Sequence, residues 1–137
     1  MKKISTILVA AGTAAAAMTI TASPAHASQD AVVHVRLCDM TWCGSAGYAH
    51  FNSDPTPLIP GDALRVCDTE ADGWGVIGWL VTNEGQVIRS ATTQGRNSPY
   101  CTSWKSGNLP EDMYLNVIAC KIKGKTTEGC RSLDAWA

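Results

Sequence analysis

The chain has 137 residues, 45% of them hydrophobic, with eleven Lys and Arg against twelve Asp and Glu and a formal charge of −1. That length holds one ordinary domain, and the charge balance lacks the basic footprint with which nucleic-acid-binding proteins neutralise phosphates. Six cysteines, Cys38, Cys43, Cys67, Cys101, Cys120 and Cys130, form an even set in a short chain. Such a set reads as three disulfides rather than as metal ligands or a redox pair, and leaves no thiol for nucleophilic catalysis.

Lys2 and Lys3 open the chain and residues 4–20 are apolar and alanine-rich. Ala25-His26-Ala27 then places small residues at both positions that a signal peptidase reads, so residues 1–27 are expected to be a signal peptide. Its removal leaves residues 28–137 with nine basic and twelve acidic side chains, a net charge of −3. No second apolar span and no lipidatable cysteine follow the cleavage motif. The mature chain is therefore expected to be one secreted domain with no membrane contact.

Residues 31–37 alternate, Val33, Val35 and Leu37 opposite His34 and Arg36, and read as the first strand. Residues 47–51 form a second short extended run. Pro55, Pro57 and Pro60 exclude a regular ladder from 52–61 and predict a rigid connecting loop. Residues 62–68 alternate again. Residues 74–81 are apolar on both sides, the pattern of a central strand buried on both faces. A turn at 83–85 returns the chain through 86–91. After a polar loop, residues 100–104 are a brief strand, 113–122 the longest alternating run, 123–129 a turn, and 130–136 the closing strand. No window has helical periodicity with caps. Seven or eight short strands in about 110 residues predict an all-β fold, a compact antiparallel β-sandwich stapled by three disulfides.

Six cysteines allow fifteen pairings. Spacing ranks one of them first. Cys38 and Cys43 enclose a short loop, Cys120 and Cys130 face each other across a hairpin, and Cys67–Cys101 closes the longest loop.

Asp68, Glu70 and Asp72 stand at alternate positions before Gly73, which is how a calcium loop begins. Position twelve of that loop requires a bidentate glutamate, and here it is Trp79. The segment is therefore expected to be a turn between strands, with these three acids as candidate calcium ligands in the alternative. His34 and His50 lie on the polar sides of extended runs and belong to no zinc-ligand spacing. Ser45, His50 and Asp54 can be assembled into a triad on paper, but 44–47 is not a nucleophile elbow. No catalytic constellation emerges and no cofactor is implied, so the protein is expected not to be an enzyme.

Five tryptophans against one phenylalanine are large pieces for a small domain. Trp74 and Trp79 fall on opposite faces of the apolar run, so at most one points to the same core, and packing is the expected role of both. Trp42, inside the expected Cys38–Cys43 loop, is instead a candidate partner anchor, since a rigid aromatic loses little entropy on binding; it could equally stack on a sugar. The first strand, with Val33 and Val35, is the candidate docking edge, because main-chain hydrogen bonds can extend a sheet between chains.

Residues 61–76, Gly-Asp-Ala-Leu-Arg-Val-Cys-Asp-Thr-Glu-Ala-Asp-Gly-Trp-Gly-Val, carry a resemblance. A strand ending in Val-Cys-Asp that leads through Ala-Asp-Gly into an apolar strand is similar to small exported β-sandwich proteins of filamentous actinobacteria. Val117-Ile118-Ala119-Cys120 with Cys130 matches their cysteine-bridged final strands. Some of these resemble the small connecting subunit of secreted umbrella-shaped antibacterial toxin particles, which joins a lectin-like subunit to a stalk protein. The resemblance implies an adaptor whose partner is another secreted protein. Two alternatives stand beside it. One is an extracellular protease inhibitor presenting residues 52–61 as a rigid strand. The other is a carbohydrate- or calcium-binding module.

Overall fold

The computed structural model describes residues 27–38 and 43–137. The expected signal peptide, apart from Ala27, and Trp42 lie outside the described residues. Eight strands follow in chain order: β1 (Ala31–Cys38), β2 (Cys43–Asn52), β3 (Ala63–Asp68), β4 (Gly75–Thr82), β5 (Val87–Thr92), β6 (Tyr100–Cys101), β7 (Tyr114–Lys123) and β8 (Thr126–Trp136). They form two four-stranded antiparallel sheets, in the orders β1-β2-β3-β6 and β5-β4-β7-β8. β1 lies over β8 and β3 over β4, so the all-β expectation holds. None of the described elements is a helix long and apolar enough to cross a membrane.

Alternation builds the core, because successive side chains in a strand point to opposite faces. Val33, Val35, Ala49, Phe51, Leu64 and Val66 from the first sheet meet Val76, Leu80, Leu115, Val117 and Ala119 from the second. Phe51, the only phenylalanine, is the largest fully buried side chain. The sheets approach closely at Gly78, where an added Cβ would stand 2.7 Å from Val66 and 2.9 Å from Ala49.

Each disulfide ties neighbouring strands: Cys38–Cys43 across the β1–β2 end, Cys67–Cys101 between β3 and β6, and Cys120–Cys130 between β7 and β8. This is the pairing that spacing ranks first. Cys120 meets Cys130 where the β7–β8 register shifts, two residues of β8 standing against one of β7, the arrangement of a bulge.

Four expectations about elements need correction. The expected strand 100–104 is regular only at Tyr100–Cys101, because the Thr102 hydroxyl accepts the Val66 N–H at 3.2 Å in place of a ladder carbonyl. Thr102 N–H still donates to Val66 O at 2.9 Å, and the next pairing with β3 is the Leu64–Lys105 bridge. The expected turn 123–129 is two residues long, because Gly124 takes a φ of +61°, a conformation cheap only for glycine, and β8 starts at once. β4 is not buried on both faces. Val76, Gly78 and Leu80 face the core, whereas Ile77, Trp79 and Val81 lie on the outer face of the second sheet, partly exposed. Nor do Trp74 and Trp79 pack in the core. All four described tryptophans are partly exposed, because valine, leucine and alanine already fill the space between two short sheets.

Candidate functional site

Both sheets end on the same side of the sandwich, β1 closing one and β8 the other. Val33 and Val35, expected as docking side chains, are 2% and 0% exposed. They point inward, so neither is available to a partner's surface, although Val33 shows at the rim described next. The outward residues of β1 are Val32, His34 and Arg36. β8 differs, with nine consecutive exposed residues from Thr126 to Asp134. Register pairs Leu133 with the buried Val117 and Arg131 with the buried Ala119, so both belong to the inward row of the sheet. Leu133 nonetheless remains 49% exposed. β1 does not reach across to cover it, and an open groove runs between the edges, lined by Val33, His34, Arg36, Arg131, Ser132 and Leu133. The groove offers an apolar floor at Leu133, two guanidinium groups, and the sides of two strands that meet only at the Gln29–Trp136 bridge among the described residues.

The outer face of the first sheet carries the histidines. His34 packs on Tyr48 at 5.5 Å and His50 edge-on against Trp104 at 5.1 Å, while the Arg65 guanidinium covers the same indole at 4.8 Å. Burial holds the His50 imidazole below its ordinary value, with Asp30 opposing the shift and Arg65 adding to it. The paper triad is not assembled. Ser45 Oγ lies 3.3 Å from His34 Nδ1 rather than on His50, and Asp54 accepts a hydrogen bond from Ser28 Oγ at 2.7 Å.

Loop 52–61 is tied together from within. The Asn52 amide donates to the carbonyls of Asp54 and Pro60, and Asp62 N–H donates to Ser53 O. Thr56 N–H donates to Ile59 O and Ile59 N–H to Thr56 Oγ1. The tip is thus a tight turn with Leu58 92% exposed, and not the extended strand expected of an inhibitory loop.

At one end of the sandwich the β3–β4, β5–β6 and β7–β8 connections converge around an open cleft of about 650 Å³. The candidate calcium acids lie here but do not gather as ligands. Asp72 is engaged by Lys121 at 2.9 Å and accepts the Trp74 N–H at 2.9 Å, and Asp68 accepts the Glu70 N–H at 3.1 Å. Among the described residues no group of three His, Cys, Asp or Glu side chains is placed to hold a metal ion. The expected turn is what the segment forms: Asx-type bonds close it, and Gly73 takes a φ of +78°. Burial pushes the Asp68 carboxyl above its ordinary value. Burial acts the same way on Asp72, but Lys121 and the Trp74 amide outweigh it and hold that carboxyl low. The Lys121 and Lys123 ammonium groups lie 5.0 and 5.7 Å from the Trp74 ring.

Sequence reasoning missed Arg131, Leu133 and the β5–β6 loop. Arg131, Leu133 and Ala135 do alternate as an inward row, but no pattern within β8 reveals that the opposing strand stops short of it.

No protein-family model matches the chain, and no curated protein matches it. Among solved structures it is similar to an endonuclease/exonuclease/phosphatase from Beutenbergia cavernae DSM 12333, at 26% identity and a TM-score of 0.47. The similarity covers 65% of this chain and 23% of that one. The chain thus spans less than a quarter of that protein, and a likeness of this size carries no argument about activity.

Proposed function

We propose that this protein is a non-enzymatic extracellular interaction module that holds an extended, acidic segment of a second secreted protein in the β1–β8 groove. The observation that carries this reading is the inward-row residue Leu133, left half-exposed between two strand edges that are bridged only at Gln29–Trp136 among the described residues. Exposed edges are normally shortened, covered or twisted away, because they invite pairing with other chains. A groove between two edges offers a partner strand main-chain hydrogen bonds and an apolar contact together. Arg36 and Arg131 on its two sides favour carboxylates in the incoming segment. The three disulfides fit an oxidising extracellular setting. The resemblance to a toxin connecting subunit makes an adaptor in a secreted antibacterial assembly the most specific form of the proposal.

The test is affinity capture of the tagged protein from the producer's culture supernatant, with bound proteins identified by mass spectrometry. A stoichiometric secreted partner is expected with the wild type. It should be lost with the double variant Arg131→Glu, Leu133→Asp, whose melting temperature should stay close to wild type because both side chains are exposed. A partner that binds the double variant equally well, or a protein that emerges without a partner, overturns the proposal.

A further inference from the structure

The cleft at the loop end has a chemistry unlike that of the β1–β8 groove. Its walls are fixed by bonds between connections. Gln94 Nε2 donates to Gly124 O at 3.1 Å, joining the β5–β6 loop to the β7–β8 turn, and the Lys121–Asp72 pair ties the β3–β4 loop to β7. The site is therefore pre-shaped, and a ligand need not order it. Its floor holds two desolvated polar groups. Asp68 is 3% exposed. Ser98 Oγ is buried and makes no hydrogen bond of good geometry among the described residues; it stands beside the Asp68 carboxylate, whose charged form it favours as a weakly placed donor. Buried polar atoms are nearly always well paired, so a hydroxyl whose one contact is poorly placed, beside a cleft, leaves bonding capacity for a ligand's polar atoms.

The remaining lining narrows the ligand class. Gln94 and Asn97 present amides, Arg96 a guanidinium and Trp74 an indole edge or face. Arg96 and Lys123 lie over the rings of Tyr100 and Trp74 and make no ion pair among the described residues. Their charge is matched by Asp68 and Glu70, since Asp72 is engaged by Lys121. A polyphosphate or a polyanion would need an excess of cations. A purely apolar ligand would strand the amides and the carboxylate without partners. A ligand with many hydroxyls, each both donor and acceptor, together with apolar C–H faces, satisfies the whole set.

We propose that this cleft binds a neutral saccharide, with Ser98, Asn97 and Gln94 bonding its hydroxyls, Asp68 accepting from them, and Trp74 covering a sugar face. The volume, about 650 Å³, lies within the range of small-molecule sites. The inference does not depend on the β1–β8 groove, and its test uses no protein partner.

Amide chemical shifts of the isotopically labelled, disulfide-intact protein would be followed while adding maltotetraose, cellotetraose, mannotetraose and chitotetraose in turn. At least one should shift the amides of residues 68–75 and 94–98 in a saturable way. Asn97→Ala and Ser98→Ala should each weaken it by about three- to tenfold. Asn97 is exposed on a loop, so this variant keeps the fold. Trp74→Ala removes a ring that also serves two lysines, so it is read only beside Asn97→Ala. No saturable shift with any of the four sugars at millimolar concentration overturns the proposal. So do shifts centred on Trp104 and the outer face of the first sheet, or an affinity unchanged in Asn97→Ala.

Discussion

At the scale of single residues, two carboxylates four positions apart in one turn respond oppositely to their surroundings. Asp68 is raised chiefly by burial, and Asp72 is lowered because Lys121 and the Trp74 amide overcome the burial that acts on both. The consequences for stability have opposite signs. A raised carboxyl binds its proton more readily in the folded state. Its contribution is therefore complete below the ordinary value of 3.8 and is lost as pH rises through the folded value. Asp72 contributes above 3.8 and loses that contribution as pH falls through its lower folded value. Asp68→Asn keeps an oxygen for the Glu70 N–H and removes the buried charge, so it should melt higher than wild type at pH 7 and level with it in strong acid. Asp72→Asn should melt lower at pH 7. Thermal melts of both variants across a pH series check the two signs together; an Asp68→Asn protein that melts below wild type at pH 7 would mean that its hydrogen bonds outweigh its burial.

At the scale of elements, the two sheets are brought into contact by what β4 lacks at Gly78. Glycine is a poor strand former, because it brings no side chain and loses more backbone entropy than other residues. Its place in the middle of β4 is explained by Val66 and Ala49, which occupy the volume a Cβ would need. Ala49 Cβ sits on a rigid strand and cannot rotate away. Gly78→Val should therefore destabilise the fold by about 1–3 kcal/mol through overpacking, read by urea denaturation. A variant as stable as wild type would show that the sheets can separate locally at no cost. The edge elements are read in the same terms. β8 is long because Gly124 makes the hairpin turn in two residues. Its exposed inward row follows from β1 lying over it without covering Leu133, and no feature of either strand alone produces the groove.

At the scale of the whole molecule, the bridges divide unequally. Cys67–Cys101 spans 34 residues, Cys120–Cys130 spans 10, and Cys38–Cys43 spans 5. In the chain-entropy description the constraint on the unfolded chain grows with the logarithm of the loop, to about 3.8, 2.7 and 2.1 kcal/mol respectively. The first also holds the two-residue β6 to β3, and with it the segment that reaches the Leu64–Lys105 bridge. Paired Cys→Ser replacement should lower the melting temperature most for Cys67/Cys101 and least for Cys38/Cys43. The reverse order would place the stabilisation in the folded state rather than in the loops. A domain of about 110 residues has a core small enough that the first replacement removes a large share of its total stability.

What the sequence determined by itself was local. Alternation in 31–37, 62–68 and 113–122 placed Val33, Val35, Leu64, Val66, Leu115 and Val117 on inward faces, because a strand's period of two is written in neighbouring residues. Cysteine spacing ranked the observed pairing first, since each bridge joins strands adjacent in a sheet. The tertiary structure decided which faces are covered. Trp79 reads as core and lies partly exposed, because no third layer covers the outer face of β4 and the interior is filled by smaller side chains; Trp74, just before β4, lies instead at the loop end beside Lys121 and Lys123. Leu133 belongs to the inward row yet borders a groove, because the opposing edge leaves it bare. The cleft of Asp68, Gln94 and Ser98 joins loops more than twenty residues apart in the chain, and only the packing of the two sheets brings those loops to one end.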